Sequence, residues 1–244
     1  AGRPVPAPAV LLDAVEAALA AARATGGAFD PALGVQLRGL GYDRTFDEVG
    51  DAPGGPARTA PGGGWRAVRV DRAAGCVTVP VGAELDLGGI AKGMTADAAV
   101  ALLGDAGARC ALVSAGGDLA VLGAPPGRTG WTVAVRTPGG AVPVTLERGA
   151  LATSGVERRN WMRDGVRRHH IVDPASGLPA ETGLWSATAV AGSCAQAEVA
   201  ATAAFVLGAG AGAALLARLG MPGLMVTPSG ATLPVGGWPA AEAA

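Results

Sequence analysis

Between residues 9 and 24 the apolar positions Val10, Leu11, Ala14, Val15, Ala18 and Leu19 recur at the spacing of one helix face. This predicts a helix over 9–24, ended by Thr25-Gly26-Gly27. Further on the pattern shortens to strand-like runs. Residues 68–71 and 76–80 read as a hairpin around Ala73-Ala74-Gly75, residues 131–136 and 142–146 as a second, and residues 224–227 and 232–235 as a third. Short apolar strands at 111–114 and 119–122 flank Ala115-Gly116-Gly117-Asp118, and 150–153, 168–172 and 186–190 read as further strands. Residues 85–93 form a Gly-rich loop that leads into a helix over 94–103. Residues 1–8 read as an extended lead-in, 50–64 as a surface loop and 239–244 as a frayed tail. Helices interleaved with hairpins imply an α+β fold of mixed, largely antiparallel sheets packed against helices, in a single domain over 1–244.

The 19 residues from 199 to 217 carry no charge and are long enough to span a bilayer. Gly208, Gly210 and Gly212 lie at their midpoint and interrupt a helix. The stretch is also Ala-rich rather than Leu- and Ile-rich. It therefore reads as two short buried helices, 197–207 and 211–219, joined by Gly-Ala-Gly.

Composition narrows the classes. Apolar residues make up 50% of the chain but aromatics only 4%, so close packing rests on Ala, Val and Leu. A net charge of -1 argues against a basic nucleic-acid binder and a polybasic membrane-surface protein. The two histidines, His169 and His170, are adjacent and diverge, which excludes a zinc site built on several histidines. Cys76, Cys110 and Cys194 are odd in number and lack CxxC spacing, so they read as small buried hydrophobes.

Four segments can carry chemistry. Asp86-Leu87-Gly88-Gly89-Ile90-Ala91-Lys92-Gly93 sets an anion, a cation and three glycines ahead of a helix. It suits either a phosphate loop or a tight structural turn. Ser114-Ala115-Gly116-Gly117-Asp118 is either a backbone platform for a flat ligand or a turn with glycines at positive φ. Glu198 and Thr202 are one helical turn apart and offer hard oxygen ligands of the kind Mg²⁺ takes. A carboxylate in so apolar a stretch must be paired or metal-bound if buried; otherwise it is an exposed Glu near a helix start. Residues 168–177 form a strand entering a Pro/Gly turn, in which one histidine can face a site as acid or base.

Taken in order, Gly27-Ala28-Phe29-Asp30-Pro31, the 86–93 segment, the 114–118 segment, Ala152-Thr153-Ser154-Gly155, residues 170–177 and the helix from Glu198 resemble the FAD:protein FMN transferases, the ApbE family. The resemblance covers most of residues 10–236. It implies an ApbE-like fold and an enzyme that moves FMN from FAD to a threonine hydroxyl of a target protein, releases AMP and requires Mg²⁺. Carried over by position, Ala28, Phe29, Asp30, Asp86, Lys92 and the backbone of Ile171 would contact FAD. Gly116, Gly117 and Asp118 would join that surface. The Gly89 carbonyl, Glu198 and Thr202 would hold Mg²⁺, and His170 would be the base for the incoming threonine. The target would carry an S/D-G-x-T-type motif, as do membrane redox subunits modified by the family. By the same analogy the enzyme would be membrane-associated and extracytoplasmic.

The chain departs from the family pattern in three places. Glu198 stands where an Asp is usual, and the residues after Gly155 lack the aromatics common there. The family's opening strand and helix, with an aromatic FAD contact, are expected upstream of residue 1, so the domain reads as N-terminally incomplete. Two other activities fit the same scaffold: an FAD pyrophosphatase giving FMN and AMP, and a non-catalytic flavin-binding protein. Ser229-Gly230-Ala231-Thr232 matches the core of the target motif but reads as a hairpin turn.

Overall fold

The computed structural model describes residues 2–49 and 59–239. The predictions for residues 50–58 and 240–244 therefore lie outside the described residues. Along the chain the elements are β1 (Pro4–Pro6), α1 (Ala9–Ala24), α2 (Gly34–Gly39), β2 (Arg69–Asp71), β3 (Cys76–Thr78), α3 (Ala91–Asp105), β4 (Ala111–Ala115), β5 (Asp118–Leu122), β6 (Trp131–Thr137) and β7 (Gly140–Leu146). They continue as β8 (Gly149–Gly155), β9 (Asn160–Arg163), β10 (Val166–His169), β11 (Val172–Asp173), β12 (Leu178–Pro179), β13 (Ser186–Ala191), α4 (Cys194–Leu219), β14 (Gly223–Val226) and β15 (Thr232–Val235). They fall into two compact units. The first holds residues up to Leu87 together with Val156–Glu181, and the second holds Gly88–Gly155 and everything from Thr182 onward.

In the first unit α1 has the predicted bounds, and its buried Leu12, Val15, Ala18, Leu19 and Ala22 form the predicted face. Leu12, Val15 and Leu19 pack with Trp65, Val68 and Val77, which ties the helix to the β1-β3-β2 sheet. The lead-in thus contributes a strand rather than only extended chain, with Val5 opposite Val77. Trp65 lies in a short 3-10 helix, Gly64–Ala67, that starts at the last residue of the stretch read as loop. The Thr25 hydroxyl, bonded to the Ala21 carbonyl at 2.9 Å, receives the Phe29 amide at 3.1 Å and so carries the chain from the helix into Phe29-Asp30. The strand predicted over 168–172 is two pieces. β10 pairs with β9, β11 pairs with β12, and His170 and Ile171 lie between them.

In the second unit six strands run in the order β15-β14-β13-β8-β5-β4, each antiparallel to its neighbour. Alternation along the strands sorts two faces. Leu119, Val121 and Leu151 pack with Val135, Val144 and Leu146 of the β6–β7 hairpin. Ala120 and Ala150 meet Ala96 of α3 and Cys194 of α4. Alanine on that face lets the helices lie close to the sheet.

α4 is long and apolar enough to cross a membrane by length and composition, but it packs against β8, β13 and α3. Its one non-helical residue is Gly208, with φ 75° and ψ 179°. The break between two helical segments therefore falls at Gly208 itself, with Gly210 inside the second segment. The fold is α+β with antiparallel sheets, as the sequence implied. Of the three free cysteines, only Cys194 is fully buried; Cys76 and Cys110 are half-buried, which corrects the expectation for those two.

Candidate functional site

α3 begins at Ala91, three residues earlier than the sequence suggested. Lys92 and Gly93 are therefore first-turn helix residues rather than loop. From there Lys92 reaches two carboxylates distant in sequence. Its Nζ is 2.8 Å from Asp118 Oδ2 and is bonded to Glu198 Oε1. Glu198 Oε2 accepts the Gly93 amide at 2.8 Å, and Asp118 Oδ1 accepts the Thr153 amide at 3.0 Å. Glu198 is 2% exposed and Asp118 4%. The exposed-Glu reading is thus excluded, and the buried carboxylate is paired, as burial demands.

Three local features build this cluster. Gly93 has no room for a side chain, because a Cβ there would lie 2.5 Å from the Ala195 amide nitrogen. That closeness brings α3 and α4 to the spacing the Lys92–Glu198 pair needs. Asp97, one turn further along α3, accepts the amides of Cys194 and Ala195 at 2.7 and 3.0 Å and so anchors the start of α4. In the β4–β5 turn Gly116 and Gly117 take φ of 65° and 106°, which returns the chain so that Asp118 opens β5. A Cβ on Gly116 would touch the Lys92 stem at 3.4 Å.

One turn beyond Glu198, the Thr202 hydroxyl shares a 2.8 Å hydrogen bond with Ser154 of β8. Gly89 is half-buried in the turn before α3, and the carbonyl of its neighbour Gly88 faces Lys92 Nζ at 3.4 Å. Among the described residues no three His, Cys, Asp or Glu side chains gather as a metal cluster. A magnesium site here would therefore draw on one or two carboxylates with hydroxyl and carbonyl oxygens. Those hard donors are the type Mg²⁺ takes. Two carboxylates meet a single ammonium here, and with the nearby hydroxyl and carbonyl oxygens the donor set fits a magnesium ion.

The other expected site residues lie in the first unit. Phe29 and Asp30 are buried, and Ala28 is half-buried. Asp30 Oδ1 accepts the Ala32 amide at 2.8 Å and Oδ2 the Gly63 amide at 2.6 Å. Burial raises the pKa of this carboxyl, and those two amides act against the rise. The Asp86 amide donates to the Pro31 carbonyl at 2.8 Å, which ties the 86 segment to the residue after Asp30. The Ile171 carbonyl accepts the Ala180 amide at 3.0 Å. His170 is half-buried, with Nδ1 3.4 Å from the Arg159 carbonyl. Thr232 is exposed at the start of β15, opposite Val226, in the hairpin its sequence suggested.

Sequence reading assigned no role to Asp97 or Ser154. Ser154 lies within the Ala152-Thr153-Ser154-Gly155 segment that carries the resemblance. Asp97 left no trace, since its partners are almost a hundred residues away.

The sequence profile of the ApbE family matches residues 1–225. The chain belongs to the ApbE family. It is 38% identical to an FAD:protein FMN transferase of Treponema pallidum over 237 residues, which is 88% of this chain and 64% of that protein. This chain thus spans less than two thirds of that relative's length. Its fold matches the crystal structure of an ApbE protein from Thermotoga maritima with a TM-score of 0.84, at 31% identity, covering 96% of this chain and 78% of the other. The apo flavinyl transferase ApbE of Pseudomonas stutzeri matches with a TM-score of 0.81, at 28% identity, covering 96% and 75%.

Proposed function

We propose that this chain transfers FMN from FAD to a threonine hydroxyl of a target protein in a Mg²⁺-dependent reaction that releases AMP. The observation that supports this reading best is the buried Lys92–Asp118–Glu198 cluster, in a chain of the ApbE family. The threonine oxygen forms a bond to the FMN phosphorus, the bond from that phosphorus to the bridging oxygen breaks, and AMP leaves. Such a transfer needs positioning and charge neutralisation more than covalent chemistry.

The Gly89 carbonyl, Glu198 and Thr202 would hold the magnesium ion, which when bound offsets charge on the pyrophosphate. Ser154 orients the Thr202 hydroxyl. Gly93 and Lys92 fix both oxygens of Glu198, so the carboxylate is ordered before any ligand arrives. His170 takes the threonine proton. The resemblance assigns FAD contacts to Ala28, Phe29, Asp30, Asp86, Lys92, Gly116, Gly117, Asp118 and Ile171. The acceptor is a protein with an S/D-G-x-T-type motif, such as a membrane redox subunit, met at the extracytoplasmic side of the membrane.

Incubation with FAD, Mg²⁺ and a peptide containing Ser-Gly-Ala-Thr tests this reading. AMP should appear together with a peptide heavier by one FMN less water. AMP with free FMN and an unmodified peptide would replace the transferase with a pyrophosphatase. FAD binding without AMP would overturn both.

A further inference from the structure

Three oxygens surround the Lys92 ammonium: Glu198 Oε1, Asp118 Oδ2 at 2.8 Å and the Gly88 carbonyl at 3.4 Å. This side chain stands where a cation is needed. We propose that Lys92 is a built-in cation that neutralises Glu198 while no divalent ion is bound. The ion and Lys92 then compete for Glu198, and Asp118 retains the ammonium when the ion takes over. The inference rests on the reading of Glu198 as a magnesium ligand.

Both Glu198 oxygens are already used, one by Lys92 and one by the Gly93 amide. Each oxygen keeps a further lone pair, but an ion on Oε1 would sit against the Lys92 ammonium, and an ion on Oε2 would share that oxygen with the Gly93 amide. The amide is fixed in the α3 backbone, whereas the lysine is the mobile partner. Its side chain is 32% exposed, while the Glu198 side chain is 2% exposed. Ammonium and Mg²⁺ repel each other, so both resting on one oxygen is unfavourable. A buried carboxylate left with no cation is also strongly unfavourable. Exchange of one cation for the other avoids that state throughout. Asp118 supplies the second anchor. Held by the Thr153 amide on its other oxygen, it keeps Lys92 neutralised after release from Glu198. Gly116 flanks the lysine stem, and a Cβ there would only come into van der Waals contact with Lys92 Cδ.

The test uses the full chain without flavin and Mn²⁺ as a hard-cation probe. Free Mn²⁺ is read by electron paramagnetic resonance, and Mg²⁺ is added as a competitor. Lys92→Met should tighten Mn²⁺ binding by about tenfold or more, because the ion no longer displaces a partner. Its ion-free Tm should fall below that of the unmodified chain and rise more on adding Mn²⁺. Should Lys92→Met not fold, Lys92→Arg reads the same competition. Its fork grips carboxylates bidentately and should weaken Mn²⁺ binding. Unchanged or weaker binding in folded Lys92→Met, or unchanged or tighter binding in Lys92→Arg, overturns the competition. If Glu198→Gln abolishes Mn²⁺ binding in that case, the metal assignment and the transfer reading still stand. If Glu198→Gln leaves binding intact, the assignment of Glu198 as a ligand falls as well, and the competition with it.

Discussion

Asp97 Oδ1 accepts the Cys194 amide at 2.7 Å, and through this contact one carboxylate on α3 sets where α4 begins. Its second oxygen takes the Ala195 amide at 3.0 Å, so two of the unpaired donors at the start of α4 are satisfied from another helix. The hydroxyl of Ser193, the residue before α4, accepts the Gln196 amide at 3.3 Å, and its carbonyl accepts the Ala197 amide at 3.0 Å. Asp97→Ala should therefore cost about 1–2 kcal/mol. Asp97→Asn, which keeps one acceptor, should cost less. Urea unfolding of the two variants checks the order.

Gly93→Ala should be more severe than its one added methyl suggests. The new Cβ meets Ala195 N at 2.5 Å and the Cys194 carbonyl carbon at 2.6 Å, and backbone cannot step aside as a side chain tip can. A loss of about 1–3 kcal/mol follows from overpacking. The helices must part, so Glu198 should also lose its Lys92 contact. Thermal melts measure the first effect, and Mn²⁺ affinity of the folded fraction measures the second.

Much of this was legible in the sequence. The face of α1 followed from spacing alone, because one apolar stripe needs no distant partner to define it. Glu198 stood out because a charge inside an apolar run must be explained, and pairing was one of the two explanations for a buried one. What did not show was the identity of the partner. Lys92 looked like a loop residue because Gly88 and Gly89 precede it, but the helix starts at Ala91 once Gly93 can press against Ala195. That contact joins residues about a hundred positions apart, and no local pattern records it. The break in α4 falls inside the expected Gly-Ala-Gly joint but narrows to a single residue. Three glycines in five residues mark a weak point, and only the backbone at Gly208 takes up a non-helical conformation.

Cys194 should resist alkylation in the folded protein. Burial, with Asp118 and Asp97 nearby, pushes its thiol up to about 12, so almost no thiolate exists at neutral pH. Iodoacetamide at pH 8 followed by peptide mass mapping should label Cys76 and Cys110 first. Cys194 should react only after denaturant is added.

Stability should fall as the medium is acidified below pH 6.5. Burial, with Arg167 adding to it, holds the His169 pKa below its usual 6.5, while a bond to the Ala180 backbone and Glu181 act the other way. The unfolded chain then takes up a proton at a higher pH than the folded chain. The contribution to stability is complete above 6.5 and is lost as pH falls toward the folded value. His169→Gln should flatten this part of the Tm–pH curve. Comparison of the two curves separates it from Asp30, whose raised pKa makes stability change in the opposite sense.

Glu198→Gln and Thr202→Val should each reduce AMP formation from FAD. The first should cost about a hundredfold or more, since it removes the charged ligand of the proposed magnesium site, and the second less, since it removes a neutral one. Ser154→Ala should act more mildly through Thr202, to which it is bonded at 2.8 Å. Initial rates at saturating FAD check the ranking.

The Lys92–Glu198 pair closes a loop of 106 residues. On a ribosome, Lys92 and Asp118 emerge well before the carboxylate that completes the cluster, and the Asp97 anchor waits nearly as long, 97 residues, for Cys194. The nascent protein therefore lacks the complete cluster until α4 has been made. A polypeptide cut short before residue 198 would leave Lys92 with Asp118 alone as its carboxylate partner.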